Sequence, residues 1–290
     1  MVLLENGLIK AEISEKGGEL TSLFHKENRL EYLWQADPAF WGRHAPILFP
    51  VVGALKQDQY TYRGKAYSMP RHGFARDMPF TLHQTSPRRV SCYLCANEET
   101  RKMYPFDFKL TIYYHLESSG IKVRWRIENP SEEPMYFSIG AHPAFNIPLV
   151  ENLAFDDYYL QFSPSKSRVN IPLKGGLLDW HHRTLAQTNT AWKLSHELFK
   201  NDAEIFAAPG KQKFMIAADK DPRRISLAFD DFDFVGVCSP YPKEAPFVCL
   251  EPWCGIADAV DATGDLTQKL AIHKLDPHQI FEREYSITIE

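Results

Sequence analysis

Along much of this chain, apolar and polar residues alternate with a period of two. In GIKVRWRIEN, Ile121, Val123, Trp125 and Ile127 fall on one side, with Lys122, Arg124, Arg126 and Glu128 on the other. Such alternation predicts a strand with one buried and one solvated face. The preceding FKLTIYYHLE carries Phe108, Leu110 and Ile112 in the same way, and the SSG between the two segments predicts a hairpin turn. GLIKAEIS, QYTYRGKAYS, KFMIAADK, RRISLAFD, FDFVGVCS, PFVCLE and REYSITIE read as further strands, the second with its own turn at Arg63-Gly64-Lys65. Helical spacing is scarce. Its best candidate is LSHELFKND, with Ser195 as the N-cap. The 20 prolines and 15 glycines punctuate strands instead of forming a linker. No repeat, low-complexity tract or shift of composition marks a domain boundary. The expectation is one all-β domain over residues 1–290, a large antiparallel β-sandwich of short strands joined by long loops.

Composition narrows the function classes. With 290 residues, 44% of them hydrophobic, the chain can bury a large core. Its net charge of -4, and the lack of any Lys/Arg run longer than two, exclude an electrostatic nucleic-acid footprint. The opening MVLLENGLIKAEIS lacks the basic start and long apolar run of a signal peptide, and no segment approaches the ~20 apolar residues of a membrane helix. A cytoplasmic protein with neither membrane nor nucleic-acid partner is expected. Five cysteines at irregular spacing argue against a secreted disulfide framework. Cys92 and Cys95 form a C-x-x-C, but within a predicted strand they point to opposite faces, so both read as structural. Cys238, Cys249 and Cys254 sit in apolar strand contexts and read as packing residues.

Four loop-like stretches mix polar groups with Pro, Gly or aromatics. They are WGRHAPILFPVVG with Arg43, MPRHGFARDMPF with Arg71, His72 and Arg76, GAHPAFNIPL with His142, and FVCLEPWCGIAD with Glu251 and Trp253. In GAHPAFNIPL, Pro143 and Pro148 rule out a helix interior or central strand, which predicts a rigid corner holding one imidazole in place. In FVCLEPWCGIAD, a carboxylate closes an apolar strand that Pro252 is expected to stop, so Glu251 is a candidate base of raised pKa. Each residue also has a plainer reading: a hydrogen-bonded loop histidine, a strand-capping glutamate, or arginines paired with surface carboxylates, Arg76 with Asp77 among them.

In combination and in this order, GGELTSLFHKENRLEYLW, RHAPILFPVVG, RHGFARDMPF, GAHPAFNIPL and FVCLEPWCGIAD resemble the aldose 1-epimerase (galactose mutarotase) family, most closely its LacX-like bacterial branch. The resemblance runs over nearly the whole chain. It implies the galactose mutarotase-like supersandwich and a cofactor-free interconversion of sugar anomers, with no metal. By the same resemblance His142 matches the general acid, Glu251 the general base, and His72 a histidine that hydrogen-bonds the sugar ring region. Arg43 falls in an arginine-bearing loop, Arg76 in the H-G-F-A-R motif of the sugar-phosphate branch, and Asp202, in LFKNDAEIF, matches an aspartate that grips sugar hydroxyls. Trp253 would offer a stacking face. The residue types suit the chemistry: a carboxylate can take the anomeric hydroxyl proton, while an imidazolium, with an ordinary pKa near neutrality, protonates the ring oxygen.

The run Arg71-His72-Gly73-Phe74-Ala75-Arg76 leaves the substrate open between a free sugar and a sugar 6-phosphate, since Arg43, Arg71 and Arg76 could form a phosphate cluster. Two other classes compete with the enzyme. A catalytically inactive carbohydrate-binding sandwich need not keep both His142 and Glu251. A metal-dependent cupin-like sandwich needs clustered ligands, whereas His181 and His182 stand adjacent without neighbouring partners and read as a solvated loop. The expected partner is a small sugar or sugar phosphate, and the chain a monomer or homodimer.

Overall fold

The predicted hairpin forms. In the computed structural model, which describes residues 1–290, Lys109–Leu116 pairs antiparallel with Gly120–Glu128, setting Ile112 opposite Trp125 and Leu110 opposite Ile127. Ile121, Val123, Trp125 and Ile127 are fully buried, while Lys122, Arg124, Arg126 and Glu128 keep contact with solvent. The hairpin lies inside a nine-stranded sheet, with Arg89–Cys95 on one flank and Ile280–Ile289 on the other. The strands Asp221–Phe229 and Gln212–Ala218 continue it beyond Ile280–Ile289.

A second sheet of eight strands carries the chemistry. From Glu204–Ala207 it runs through Phe234–Cys238, Phe247–Cys254 and Ile139–Ala141 to Ile47–Leu48 at its edge, and Ala144–Asn146 also pairs with Phe247–Cys254. Val235, Val237, Val248 and Leu250 face inward, into one cluster of 67 buried residues that also holds Ile121, Val123 and Trp125 of the larger sheet. Phe49 packs on Phe108 at 5.1 Å and Trp125 on Phe232 at 5.6 Å across this core. Each such side chain contributes about 1.5–3 kcal/mol by leaving water, so the two sheets are locked face to face. The architecture is antiparallel β, as expected.

The opposite face of Phe247–Cys254 carries Cys249, Glu251 and Trp253. Trp253 owes its place to two glycines on the flanking strands. A Cβ at Gly140 would lie 2.5 Å from its ring, and one at Gly236 would lie 2.6 Å away. No residue with a side chain fits at either position.

Several local expectations need correction. The strand carrying Glu251 does not stop at Pro252 but runs on to Cys254. On the flank facing the chain at 139–146, Gly140 aligns with Trp253 and Ala144 with Cys249, so residues 250–252 meet an interrupted neighbour. A proline is tolerated where the ladder has a gap. That gap is His142-Pro143 itself: GAHPAFN is two short strands broken at the histidine. LSHELFKND forms only a single 3-10 turn, His196–Phe199, and Ser195 makes no side-chain cap. The one α-helix is Glu98–Met103. Asn97 accepts from the Thr100 N–H at 3.0 Å, and Thr100 Oγ1 accepts from the Asn97 N–H at 2.9 Å. This is a reciprocal capping box, with Thr in the place of the usual Glu or Gln.

Candidate active site

Register across the second sheet sets Glu251 opposite Gly236 and Cys249 opposite Cys238. Cys238 thus sits diagonally from Glu251 on the same face, and its S–H donates to Glu251 Oε1 at 3.1 Å. His142, at the strand break, brings its Nε2 to 3.2 Å from Glu251 Oε2. The two atoms are out of line for a hydrogen bond, and Oε2 has no other partner. The His142 ring stacks on Trp41 at 4.7 Å, with 27° between the planes, which fixes its tilt. Trp41 is held in turn through its loop, where Glu19 Oε1 accepts the backbone N–H groups of His44 and Ala45 at 2.9 and 2.8 Å.

His72 completes the floor, its ring edge-on to His142 at 5.5 Å. Its backbone is left-handed, with φ of 69°. That conformation lets its N–H donate to Gly53 O at 2.8 Å while Nδ1 accepts the Gly53 N–H at 3.1 Å. An accepting Nδ1 leaves the proton of the neutral ring on Nε2, so His72 is a donor to anything bound beside it.

Burial sets the proton affinities. Desolvation holds the Glu251 carboxyl well above its ordinary value. Desolvation also pushes His142 down to about 3, with Arg76 and Arg71 reinforcing the effect. His72 is likewise held well below its ordinary value, by burial first and then by His142 and Arg71. The expectation of an imidazole near neutrality is therefore overturned at His142. The proton of the pair is favoured on Glu251, beside a neutral His142.

Above this floor opens a cavity of about 510 Å³, with Trp41, Phe247, Tyr241, Arg71, Arg76 and Asp202 among its walls. A smaller recess of about 40 Å³ shares His72, His142, Asp202 and Cys238 with it and reaches Glu251 and Trp253. Arg76 is the more buried arginine. It donates to Arg71 O at 2.6 Å, while its Nε is buried without a partner. Burial and the neighbouring Arg43 lower its pKa to about 10. Arg71 stands 3.9 Å from Asp202, a half-exposed pair across the cavity mouth.

The structure thus brings together His72, His142, Glu251, Arg71, Arg76 and Asp202. Two expected residues are placed otherwise. Arg43 is not on the cavity wall, since its guanidinium contacts both oxygens of Asp77 at 3.0 and 3.3 Å. Trp253 reaches only the small recess, its ring closed in at Gly140 and Gly236, so the aromatic wall of the cavity is Trp41 and Phe247 instead. The Arg76–Asp77 pairing is weak at 3.9 Å, with no hydrogen bond. Cys238, expected as packing, touches the central carboxylate. His181 and His182 do have partners, Asp261 at 3.0 Å and Asp179 at 2.6 Å, both on an exposed surface.

Two groups of side chains have donor atoms close enough to hold a cation. The ligand atoms of His142, Cys238 and Glu251 lie within 4.8 Å of one another, as do those of Asp233, Cys254 and His273. In the second group Asp233 Oδ2 already accepts from the Gly255 N–H at 2.8 Å and lies 2.9 Å from His273 Nε2. No helix is long and apolar enough to cross a membrane.

The antiparallel sandwich is that of the galactose mutarotase-like folds. The X-ray structure of a galactose mutarotase related enzyme from Lactobacillus acidophilus superposes with a TM-score of 0.98 at 42% identity, covering 100% of this chain and 97% of that one. A galactose mutarotase-like protein from Lactobacillus casei superposes at 0.92 and 34% identity, over the full length of both chains. Protein LacX of Lactococcus lactis subsp. lactis is 34% identical over 296 residues, 99% of this chain and 98% of that protein. The aldose 1-epimerase family matches residues 1–269, and the chain belongs to it.

Proposed function

We propose that this protein is a cofactor-independent mutarotase, interconverting the α and β anomers of an aldose or aldose 6-phosphate through acid–base ring opening. The observation that carries this reading is the unaligned 3.2 Å approach of His142 Nε2 to Glu251 Oε2, both buried at the cavity floor. Neither group has a strong competing partner, so a sugar seated over them can exchange a proton with each, through its anomeric hydroxyl and its ring oxygen.

Ring opening moves one proton off the anomeric hydroxyl and one onto the ring oxygen. Glu251 takes the first and His142 gives the second; after the aldehyde rotates, the two act in reverse. The pair therefore shuttles between a charged state, carboxylate and imidazolium, and a neutral one. Burial favours the neutral state, which matches the open-chain sugar. Hydroxyl hydrogen bonds from His72 Nε2 and Asp202, with the fields of Arg71 and Arg76, supply the polarity that the charged state needs. Rigid placement matters because the ring presents both reacting oxygens to one small site.

Arg71 and Arg76 on the cavity wall favour an anionic group on the substrate, and a 6-phosphate is the sugar group of that kind. Polarimetry or exchange NMR on a panel of free sugars and their 6-phosphates tests the proposal. Faster anomer exchange with at least one sugar is expected. Binding without any acceleration would leave a catalytically inactive carbohydrate-binding sandwich.

A further inference from the structure

We propose that Cys238 is a positioning residue for this proton transfer: its thiol holds one oxygen of Glu251, so that the other is turned toward His142 and the sugar. The inference rests on the mutarotase reading above.

The terminal torsion of a glutamate is broad and nearly two-fold, so a buried carboxyl left to itself presents either oxygen. Here the two oxygens differ. Oε1 receives the Cys238 S–H at 3.1 Å, while Oε2 has no hydrogen bond and lies 3.2 Å from His142 Nε2. Residues that could have supplied a second anchor are absent by construction of the sheet. The position directly opposite Glu251 is Gly236, and the space over it is filled by the Trp253 ring. Cys238 is left as the one side chain that hydrogen-bonds the carboxylate.

The donor type matters. A thiol is a weak donor, so it orients the carboxylate without competing hard for the charge that must form and disappear on Oε2. Cys249, directly across the ladder, and burial keep this thiol well above its ordinary pKa, so it stays a donor. A hydroxyl in its place would preserve the direction of the bond, while a methyl group would remove it.

The test compares anomer exchange in the wild type, Cys238→Ala and Cys238→Ser, as full-length chains, on the sugar that the wild type turns over fastest. Loss of the anchor should lower kcat in Cys238→Ala by roughly tenfold, the lower end for a hydrogen bond to a charged group, and leave KM within about twofold. Cys238→Ser should recover most of the loss. An unchanged kcat in Cys238→Ala overturns the inference, as does a loss carried wholly by KM or one that serine fails to rescue. Should the alanine variant not fold, the Raman S–H stretching band gives a second route. It is assigned by its disappearance in Cys238→Ser and should shift toward the free-thiol frequency in Glu251→Ala, which removes the acceptor. A band that does not move overturns the contact. A wild type inactive on every sugar overturns the mutarotase reading and this inference together, whereas an active wild type matched by Cys238→Ala overturns this inference alone.

Discussion

Two strands of this molecule, Gly120–Glu128 and Phe247–Cys254, put charge in opposite circumstances. On the first, every second residue meets solvent, and its charges are spent on exposed cross-strand pairs, Lys122 with Glu284 at 3.3 Å and Arg126 with Glu282 at 3.3 Å. Such pairs contribute about 0–1 kcal/mol each. On the second, all eight residues are buried, and its single charge-bearing side chain, Glu251, is 1% exposed. A carboxyl there cannot rely on water, so its proton affinity rises and its neighbours decide what it does. The first strand uses alternation to build a wall; the second breaks the rule of keeping ionisable groups in water, and that breach is where chemistry is expected.

The largest effect should come from breaking that breach. Glu251→Gln keeps the volume but cannot accept a proton, and His142→Asn removes the partner. Each should lower kcat by ~10²–10⁴ with little change in sugar binding. The double variant should be far from additive, since both groups serve one ring-opening step. Anomer-exchange NMR measures the rates, and thermal melts check the fold. Variants that melt early yet turn over normally would reduce Glu251 and His142 to structural residues.

The matching experiment on the wall is Trp125→Ala. This side chain is fully buried between the sheets against Phe232 and Tyr285. Its loss should cost about 3–5 kcal/mol of stability in denaturant titration. The turnover of the molecules that remain folded should be nearly unchanged. A large fall in kcat of the folded fraction would mean that the core and the site are coupled, and the contrast between the two strands would fail.

The two strands also differ in how much of them the sequence reveals. Alternation alone predicts Ile121 to Ile127, because a half-solvated strand writes its geometry into its polarity. Phe247–Cys254 is buried on both faces, so its pattern carries no period and Glu251-Pro252 looks like an end. The resemblance of GAHPAFNIPL and FVCLEPWCGIAD to one family pairs His142 with Glu251. Nothing local shows that Cys238 lies diagonal to Glu251, since that depends on the register of two strands about a dozen residues apart in sequence. Trp41 escapes for a similar reason: its place over His142 follows from a loop tethered by Glu19, a contact between distant segments. The capping box at Asn97 and Thr100 was readable, but it is short and has Thr where Glu is usual.

A smaller effect is expected at the cavity wall. Arg76→Ala should raise KM for a phosphorylated sugar by roughly 10–100-fold and leave any free-sugar activity almost unchanged, as fits the loss of one charge-assisted contact of about 1.5–3 kcal/mol. Steady-state kinetics on a matched sugar and sugar 6-phosphate give the comparison. Equal losses on both would assign Arg76 to the structure of the loop, where it already holds Arg71 O.

The smallest effect, and the one that tests the electrostatic contrast most directly, is in the pH dependence of stability. The folded-state pKa of Glu251 is raised above its unfolded value of about 4.5. Between those two values the folded chain binds more protons than the unfolded one, so this group's contribution is present below about 4.5 and is lost as pH rises through the folded pKa. His142 works the other way. Its folded value is depressed from 6.5 to about 3, so the unfolded chain binds more protons in that window and stability is lost as pH falls through it. Glu251→Gln removes the first slope and leaves the second. The variant should therefore gain in melting temperature relative to wild type as pH is raised from about 5 to 8. Parallel curves for wild type and Glu251→Gln would mean that Glu251 is no harder to ionise in the fold than in the open chain, and the distinction between the two strands would collapse to one of position alone.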